Sequence, residues 1–166
     1  MKKEIHSKVA AGVLTLIIIT LLVTISPVGA LNLKLNGSKG PHKANEVVNF
    51  TASVDLESQE KVAFQNFSLV LDAEKKKEEV ICTFDINGTV ISGCQGIDID
   101  LVSSNVTFGY GYAEGSGSLE YLIKINLSQS TLSLGNNKIY LLAETDTGQI
   151  ISQRQDLVMI PAKPVK

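Results

Sequence analysis

Apolar and polar residues alternate along most of the chain after residue 30, and this pattern predicts a protein made almost entirely of β-strands. The alternation is clearest over residues 47–56 and 119–128. Successive side chains of a strand point to opposite faces of a sheet, so each segment presents one apolar face to a core and one polar face to solvent. No stretch after residue 30 sustains the 3.6-residue apolar repeat of an amphipathic helix.

Further strands are predicted at intervals of about ten residues, a spacing typical of a β-sandwich. They cover residues 62–72, 78–86, 89–94, 97–103, 105–113, 138–145 and 149–160. We therefore expect an all-β, antiparallel sandwich of about 8 to 10 strands over residues 46–160, of the immunoglobulin-like or the jelly-roll type. A proline-containing tail, residues 161–166, follows it.

Residues 31–45 are predicted to form a separate N-terminal unit, a short strand followed by a flexible linker. Leu31, Leu33 and Leu35 alternate with polar residues, and the glycine-containing segment 37–43 separates them from the next strand. Two arrangements are open. The strand either joins the sheet of its own chain, or it pairs with the sheet edge of a neighbouring copy and inserts its three leucines there.

The first thirty residues predict export. Met1–Lys8 is basic, residues 9–25 are uncharged, and Val28–Ala30 places small residues before a cleavage site after Ala30. A signal peptide is the favoured interpretation. An uncleaved membrane anchor is the alternative, because 17 residues can span a thin bilayer.

The charge balance excludes one class of partner. Without residues 1–30 the chain has 12 Lys and Arg against 16 Asp and Glu, a net charge of −4. Nucleic-acid binding proteins carry a basic patch, and Arg154 is the only arginine here. We expect no nucleic-acid partner.

Candidate catalytic and metal-binding groups are few. His42 lies in the predicted flexible linker, which cannot hold a catalytic group in place. Asp98 and Asp100 share one face of a predicted strand, as alternation alone would arrange. Asp85 and Asn87 match the start of a calcium loop, but Gly96 stands where its acidic twelfth residue should be. We expect no enzyme activity, no cofactor and no metal site.

Cys82 and Cys94 are the only cysteines, and an even pair in an exported protein predicts a disulfide. Asn87–Gly88 is a strong two-residue hairpin signal, which places Cys82 opposite Gly93. One bulge at Ser92–Gly93 would then bring Cys94 opposite Cys82.

Six of the ten asparagines after residue 30 stand in Asn-x-Ser/Thr triplets: Asn36, Asn49, Asn66, Asn87, Asn105 and Asn126. In an exported protein each triplet is a candidate N-glycan acceptor on solvent-facing surface. Four of these triplets also have the polar–apolar–polar alternation that is common to half-buried strands, so strand patterning alone accounts for part of their number. Asn36 and Asn87 precede glycine, which favours accessible turns, so these two are the best candidates.

Phe108, Tyr110 and Tyr112 alternate with glycines and form the most unusual run in the chain. On one strand face they would either fill a sandwich core or offer a surface for sugars or a protein partner.

Residues 46–160 resemble the immunoglobulin-like β-sandwich modules common in prokaryotic, and especially archaeal, cell-surface proteins. The resemblance rests on the alternation of Val47–Val54 and on the segment Lys138–Gly148, which is similar to the closing hairpin of many such repeats. It implies adhesion, spacing or scaffolding at the cell surface or outside the cell. The expected partners are N-linked glycans and copies of the chain in a surface layer or filament, with membrane contact only through residues 9–25.

Overall fold

The computed structural model describes residues 31–37, 40–56, 61–73, 78–109, 112–114, 117–130, 132–145 and 148–162. The predicted signal or anchor segment and the last four residues of the tail lie outside this part. The described residues form thirteen β-strands and no helix, which confirms the all-β class. The strands are β1 (Leu31–Gly37), β2 (Pro41–Lys43), β3 (Val47–Leu56), β4 (Lys61–Ala73), β5 (Glu79–Phe84), β6 (Val90–Gly93), β7 (Ile97–Ser104), β8 (Thr107–Gly109), β9 (Tyr112–Glu114), β10 (Gly117–Asn126), β11 (Gly135–Thr145), β12 (Gly148–Ile151) and β13 (Gln155–Ile160).

These strands form two sheets. The first has four strands in the order β1-β3-β10-β7. The second has nine, with the main order β2-β13-β11-β4-β5-β6, while β12 pairs with β11 and the β8–β9 hairpin joins β4 through β9. All pairs are antiparallel except β2 with β13, which run parallel. The sandwich is therefore mixed, not purely antiparallel as expected.

One hydrophobic core lies between the two sheets and draws side chains from both. On β3 every second side chain from Val48 to Leu56 is buried, as the alternation predicts. The rings of Phe67, Phe84 and Tyr121 meet across the sheets with centroids 5.4 to 5.7 Å apart. The Tyr121 hydroxyl donates a hydrogen bond to the Ile86 carbonyl at 2.6 Å, so its polar atom is satisfied inside the core.

β1 lies in the sheet of its own chain, antiparallel to β3. Leu31, Leu33 and Leu35 are 6%, 5% and 1% exposed, so all three enter the core. Gly37 lies opposite Phe50, and a Cβ there would stand 2.2 Å from the ring. Glycine thus lets the Phe50 ring pack against the end of β1. Pairing of β1 with a neighbouring copy stays a prediction.

The linker prediction is wrong in part. Pro41–Lys43 forms β2 and pairs with β13, where His42 lies opposite Met159. Proline and two polar residues gave no strand signal, yet β2 sits at a sheet edge, where the missing N–H of proline breaks no ladder bond.

The hairpin that carries the cysteines differs from the predicted one in detail. Cys82 does lie opposite Gly93, but the bulge falls at Ile91, between the Thr83–Ser92 and Phe84–Val90 pairs, and not at Ser92–Gly93. The turn is also longer than two residues. The Gly88 N–H donates to the Asp85 carbonyl, and Gly88 has a φ of 83°. A turn closed by a left-handed glycine is the three-residue hairpin loop, which replaces the expected Asn–Gly turn.

The aromatic run does not form the single strand expected over residues 105–113. It forms the hairpin of β8 and β9, in which Phe108 pairs with Ala113 and Tyr112 with Gly109. Glycines on both sides of Tyr110 favour a turn at this point. The aromatic residues therefore do not occupy alternate positions on one strand. Tyr110 and the side chains of Phe108 and Tyr112 lie outside the described part of the chain.

Candidate interaction surfaces

The outer face of the four-stranded sheet, here called the polar face, carries three of the six triplet asparagines. Asn36 lies opposite Thr51, Asn49 opposite Lys124, and Asn126 opposite Val47. Their sequence neighbours on the other side of the sheet, such as Leu35, Phe50 and Ile125, are buried in the core. Strand alternation thus turns these three asparagines outward.

Surface ion pairs occupy the same face. Lys34 Nζ lies 2.6 Å from Asp55 Oδ2, and Lys124 Nζ lies 2.8 Å from Asp100 Oδ2. The Asp100 carboxylate raises the pKa of Lys124 by accepting its hydrogen bond. Exposed pairs of this kind contribute little stability. They lie on the same face as Asn36 and Asn49, which are exposed, and Asn126, which is partly exposed.

Asn126 and Asn105 both use their side-chain oxygen to bind backbone nearby. Asn126 Oδ1 accepts hydrogen bonds from the Ser128 N–H at 3.2 Å and the Ser128 hydroxyl at 2.7 Å. Asn105, on the link after β7, accepts from the N–H of Ser118 and from its hydroxyl. In both cases the amide oxygen is engaged while the residue stays at the surface.

The other two triplets lie elsewhere. Asn87 is exposed at the tip of the β5–β6 hairpin. Asn66 lies on β4, opposite Glu144, and is half buried. Its Oδ1 is buried and finds no hydrogen-bond partner among the described residues. Asn66 is therefore a poorer candidate acceptor than the exposed Asn36, Asn49 and Asn87.

The outer face of the nine-stranded sheet carries a charged group that we call the Arg154 cluster, made of Asp72, Glu78, Tyr140 and Arg154. The Arg154 guanidinium stacks over the Tyr140 ring at 4.8 Å, and its Nη2 lies 2.8 Å from Glu78 Oε1. Arg154 Nε lies 3.4 Å from Asp72 Oδ2, and the Tyr140 hydroxyl donates to Glu78 Oε2 at 3.1 Å. The Arg154 hydrogen bond is the main cause of a lowered pKa of Glu78.

The Arg154 cluster joins segments distant in sequence, since Glu78 and Arg154 are 76 residues apart. Beside it lies a groove of about 430 Å³ lined by Asp72, Asn136, Asn137, Lys138, Asp156 and Val158. Sequence reasoning missed both features. The single arginine was the one available signal, because a guanidinium matches carboxylate geometry and stacks on aromatic rings.

The disulfide joins Cys82, which is fully buried, to Cys94, with their Cα atoms 4.2 Å apart. The Cys94 N–H donates to the Ile81 carbonyl at 2.9 Å, and Cys94 has a φ of 63°. The bond fixes the end of β6 against the core.

The candidate chemical residues lie in three different parts of the fold: His42 on β2, Asp98 and Asp100 on β7, and Asp85 in the turn after β5. His42 is not in a flexible linker, because its side chain is 12% exposed and its Nδ1 lies 3.9 Å from Glu46 Oε2. Asp98 and Asp100 lie on the polar face, with Asp100 paired to Lys124. Asp85 Oδ1 accepts the N–H groups of Asn87 and Thr89 and thereby shapes the hairpin turn.

The described residues contain no group of three or more His, Cys, Asp or Glu side chains placed to hold a metal ion. They also contain no helix long and apolar enough to cross a membrane.

The chain matches no protein-family model and no curated protein sequence. Among solved structures, it is similar to the sporulation control protein Spo0M from Bacillus subtilis, with 12% identity and a TM-score of 0.42, over 80% of this chain and 50% of that one. This chain therefore spans about half the length of Spo0M. It is also similar to AggA, the major subunit of aggregative adherence fimbriae type I from Escherichia coli, with 13% identity and a TM-score of 0.35, over 80% of this chain and 95% of that one. At such low TM-scores neither similarity bears on what the chain does.

Proposed function

We propose that this chain is an exported, N-glycosylated protein of the cell surface or extracellular space, with a structural or adhesive role. The observation that carries the proposal is the placement of Asn36, Asn49 and Asn126 on one outer face. Glycans require solvent-facing asparagines, and three triplets on a single face would cover it with sugar. The Cys82–Cys94 disulfide supports the same location, because disulfides persist in oxidising compartments.

The strand order supports an immunoglobulin-like sandwich. In that fold one sheet has the order A-B-E-D, and the variable type extends the G-F-C sheet with C′ and C″. Here β1-β3-β10-β7 follows the first order, and β13-β11-β4-β5-β6 follows the second. The β8–β9 hairpin is then an insertion between strands D and E. The disulfide joins C′ to the residue after C″ and not strand B to strand F as in antibody domains, and Phe67 and Tyr121, on strands C and E, pack together between the sheets.

The proposed role is not enzymatic. His42 on β2 is separated from Asp98 and Asp100, which share the outer face of β7, and each has an ordinary structural setting. A screen of the purified protein against glycoside, ester and peptide substrates tests this part. Turnover that a variant of Asp98 or His42 abolishes would contradict it.

Self-assembly through β1 is the finer part of the proposal. β1 is an edge strand whose three leucines fill a core groove, so the same groove in a neighbouring copy fits the same strand. Electron microscopy of the purified protein tests it. Filaments that disappear when residues 31–36 are deleted are the expected result. Filaments that persist without these residues, or a uniform population of monomers, would contradict it.

Glycosylation is tested by peptide mapping of the native protein after digestion. We expect sugar on Asn36, Asn49, Asn87 and Asn126, and none on Asn66, whose amide oxygen is buried. A glycan on Asn66, together with unmodified asparagines on the polar face, would contradict the claim that solvent exposure decides which asparagines are glycosylated.

A binding module is the alternative function. Within the described residues the β8–β9 hairpin pairs with Lys61–Ala63 at the start of β4, so Phe108 and Tyr112 belong to a hairpin at the end of the sheet and not to a flat strand platform. Loops at the ends of a sandwich are the usual positions of binding sites. Glycan-array binding that Tyr110→Ala and Tyr112→Ala abolish would support the alternative. Binding unaffected by either variant would remove this site.

A further inference from the structure

We propose that β6 is a site where a second copy of this chain pairs edge to edge, and that a glycan on Asn87 blocks this pairing. β6 is the last strand in the order of the nine-stranded sheet. Its backbone bonds to β5 on one side only, and no strand of the described part covers its other side. A free edge of this kind is a template for another strand.

The four strands that end the two sheet orders are not equally protected. β1 carries Lys34, β7 carries Asp98 and Asp100, and β2 carries Pro41 and Lys43. Charges and proline are the usual devices that prevent edge pairing. β6 has the sequence Val-Ile-Ser-Gly and contains neither.

The surface of β6 also favours association. Val90 and Ile91 are 47% and 57% exposed, and Val80 on the adjacent strand β5 is 57% exposed. These side chains place uncovered apolar area at an edge that lacks a charge. The disulfide holds the end of this strand, so pairing does not require it to become ordered first.

A second copy is the partner that the charges fit best. When β6 pairs with β6 about a two-fold axis, no like charges meet within the new strand pair, because the strand has none. The same arrangement at β7 would bring Asp98 and Asp100 of one copy near those of the other. At β1 it would bring the Lys34 side chains of the two copies near each other. In both cases like charges would repel. A four-residue strand supplies a small interface, so we expect a weak dimer with a Kd of about 0.1 to 1 mM.

The triplet at Asn87 lies just before this edge. Asn87 is exposed in the turn three residues ahead of Val90, and its backbone N–H is fixed by Asp85 Oδ1 at 2.9 Å. A bulky glycan there would stand over the approach to β6 and prevent edge pairing, as charges or proline do at β1, β7 and β2. This blocking rests on the glycosylation in the proposed function, whereas the pairing of β6 does not.

The test compares four forms of the full-length gene product made in a host that adds N-glycans: wild type, Thr89→Ala, Thr89→Ala with Ile91→Lys, and Thr89→Ala with Val102→Lys. Thr89→Ala removes the triplet and leaves Asn87 and its turn contacts in place. Val102 is the matched control, because it is 61% exposed on the edge strand β7. Sedimentation velocity up to about 1 mM measures association. Hydrogen exchange of residues 90–93 reports whether β6 itself is covered.

We expect no association of the wild type through β6, a concentration-dependent dimerisation of Thr89→Ala through this edge with slowed exchange over residues 90–93, loss of that dimerisation with Ile91→Lys, and its retention with Val102→Lys. A monomeric Thr89→Ala with unchanged exchange would overturn the pairing. Equal loss with both lysine variants would overturn the assignment to β6. If mass spectrometry finds no sugar on Asn87 and the wild type dimerises through Ile91, the pairing of β6 with a second copy is supported. The blocking by a glycan, and glycosylation of Asn87 itself, are then contradicted.

Discussion

At the scale of single residues, Tyr121 shows that alternation predicts the burial of a side chain but not its hydrogen-bond partner. Its position in an alternating segment predicted a core side chain, and it is fully buried. Its hydroxyl partner, the Ile86 carbonyl, lies 35 residues away, and no local pattern signals such a contact. Burial raises the pKa of Tyr121 far above its ordinary value, so the phenol stays a neutral donor.

We predict that Tyr121→Phe lowers the free energy of unfolding by about 1 kcal/mol, because it leaves the Ile86 carbonyl without this donor while the ring remains. Urea denaturation measures the loss. Tyr140→Phe is the matched control, since its hydroxyl binds a carboxylate at the surface and its removal should cost less. Equal losses for both variants would contradict this account.

Glu78 gives a prediction about pH. The hydrogen bonds of Arg154 and then Tyr140 lower the pKa of Glu78 below its ordinary 4.5. A carboxyl whose pKa is lower in the folded state stabilises the fold above its unfolded pKa, and this contribution is lost as the pH falls through the folded pKa. Thermal unfolding from pH 6 down to pH 3 should therefore show a shallower acid loss for Glu78→Gln than for wild type.

Glu120→Gln, which changes an exposed carboxylate on the polar face, is the control for this pH series. It should leave the shape of the acid loss as in wild type. If Glu78→Gln loses thermal stability with falling pH as wild type does, the ionised Glu78 in the Arg154 cluster does not stabilise the fold.

At the scale of strands, the long alternating segments were predictable and the short ones were not. β3 was predicted over Val47–Leu56, the same bounds as the structure gives. Ten residues of strict alternation, on a strand that lies between two others, define both the bounds of the strand and its buried face. β2, β8 and β9 have three residues each, too few for a period to show, and their pairing depends on distant partners such as β13 and β4.

The β5–β6 hairpin gives the prediction at this scale. Replacing both Cys82 and Cys94 by alanine should lower the free energy of unfolding by about 3 kcal/mol, since the disulfide closes a loop with a sequence separation of 12. Chemical denaturation of the variant measures the loss. Wild type with dithiothreitol is the control and should reach the same stability. A loss well under 1 kcal/mol in both would show that the disulfide adds little to this hairpin.

At the scale of the whole molecule, the two outer faces differ in a way that sequence counting could not reveal. Six triplets were visible in the sequence, but only the register places Asn36, Asn49 and Asn126 on one face and Asn66 on the other sheet. The Arg154 cluster and the groove occupy the opposite outer face, built from strands far apart in the chain. The alternation predicts which asparagines face outward, and the topology decides which of them lie together.

The mass of the intact protein purified from its native source, followed by mapping of its peptides, tests the central claim most directly. The account predicts that residues 1–30 are absent, that Cys82 and Cys94 are oxidised, and that sugar is attached to Asn36, Asn49 and Asn126. A mass that matches the bare 166-residue chain, with free thiols and unmodified asparagines, would contradict export and glycosylation together.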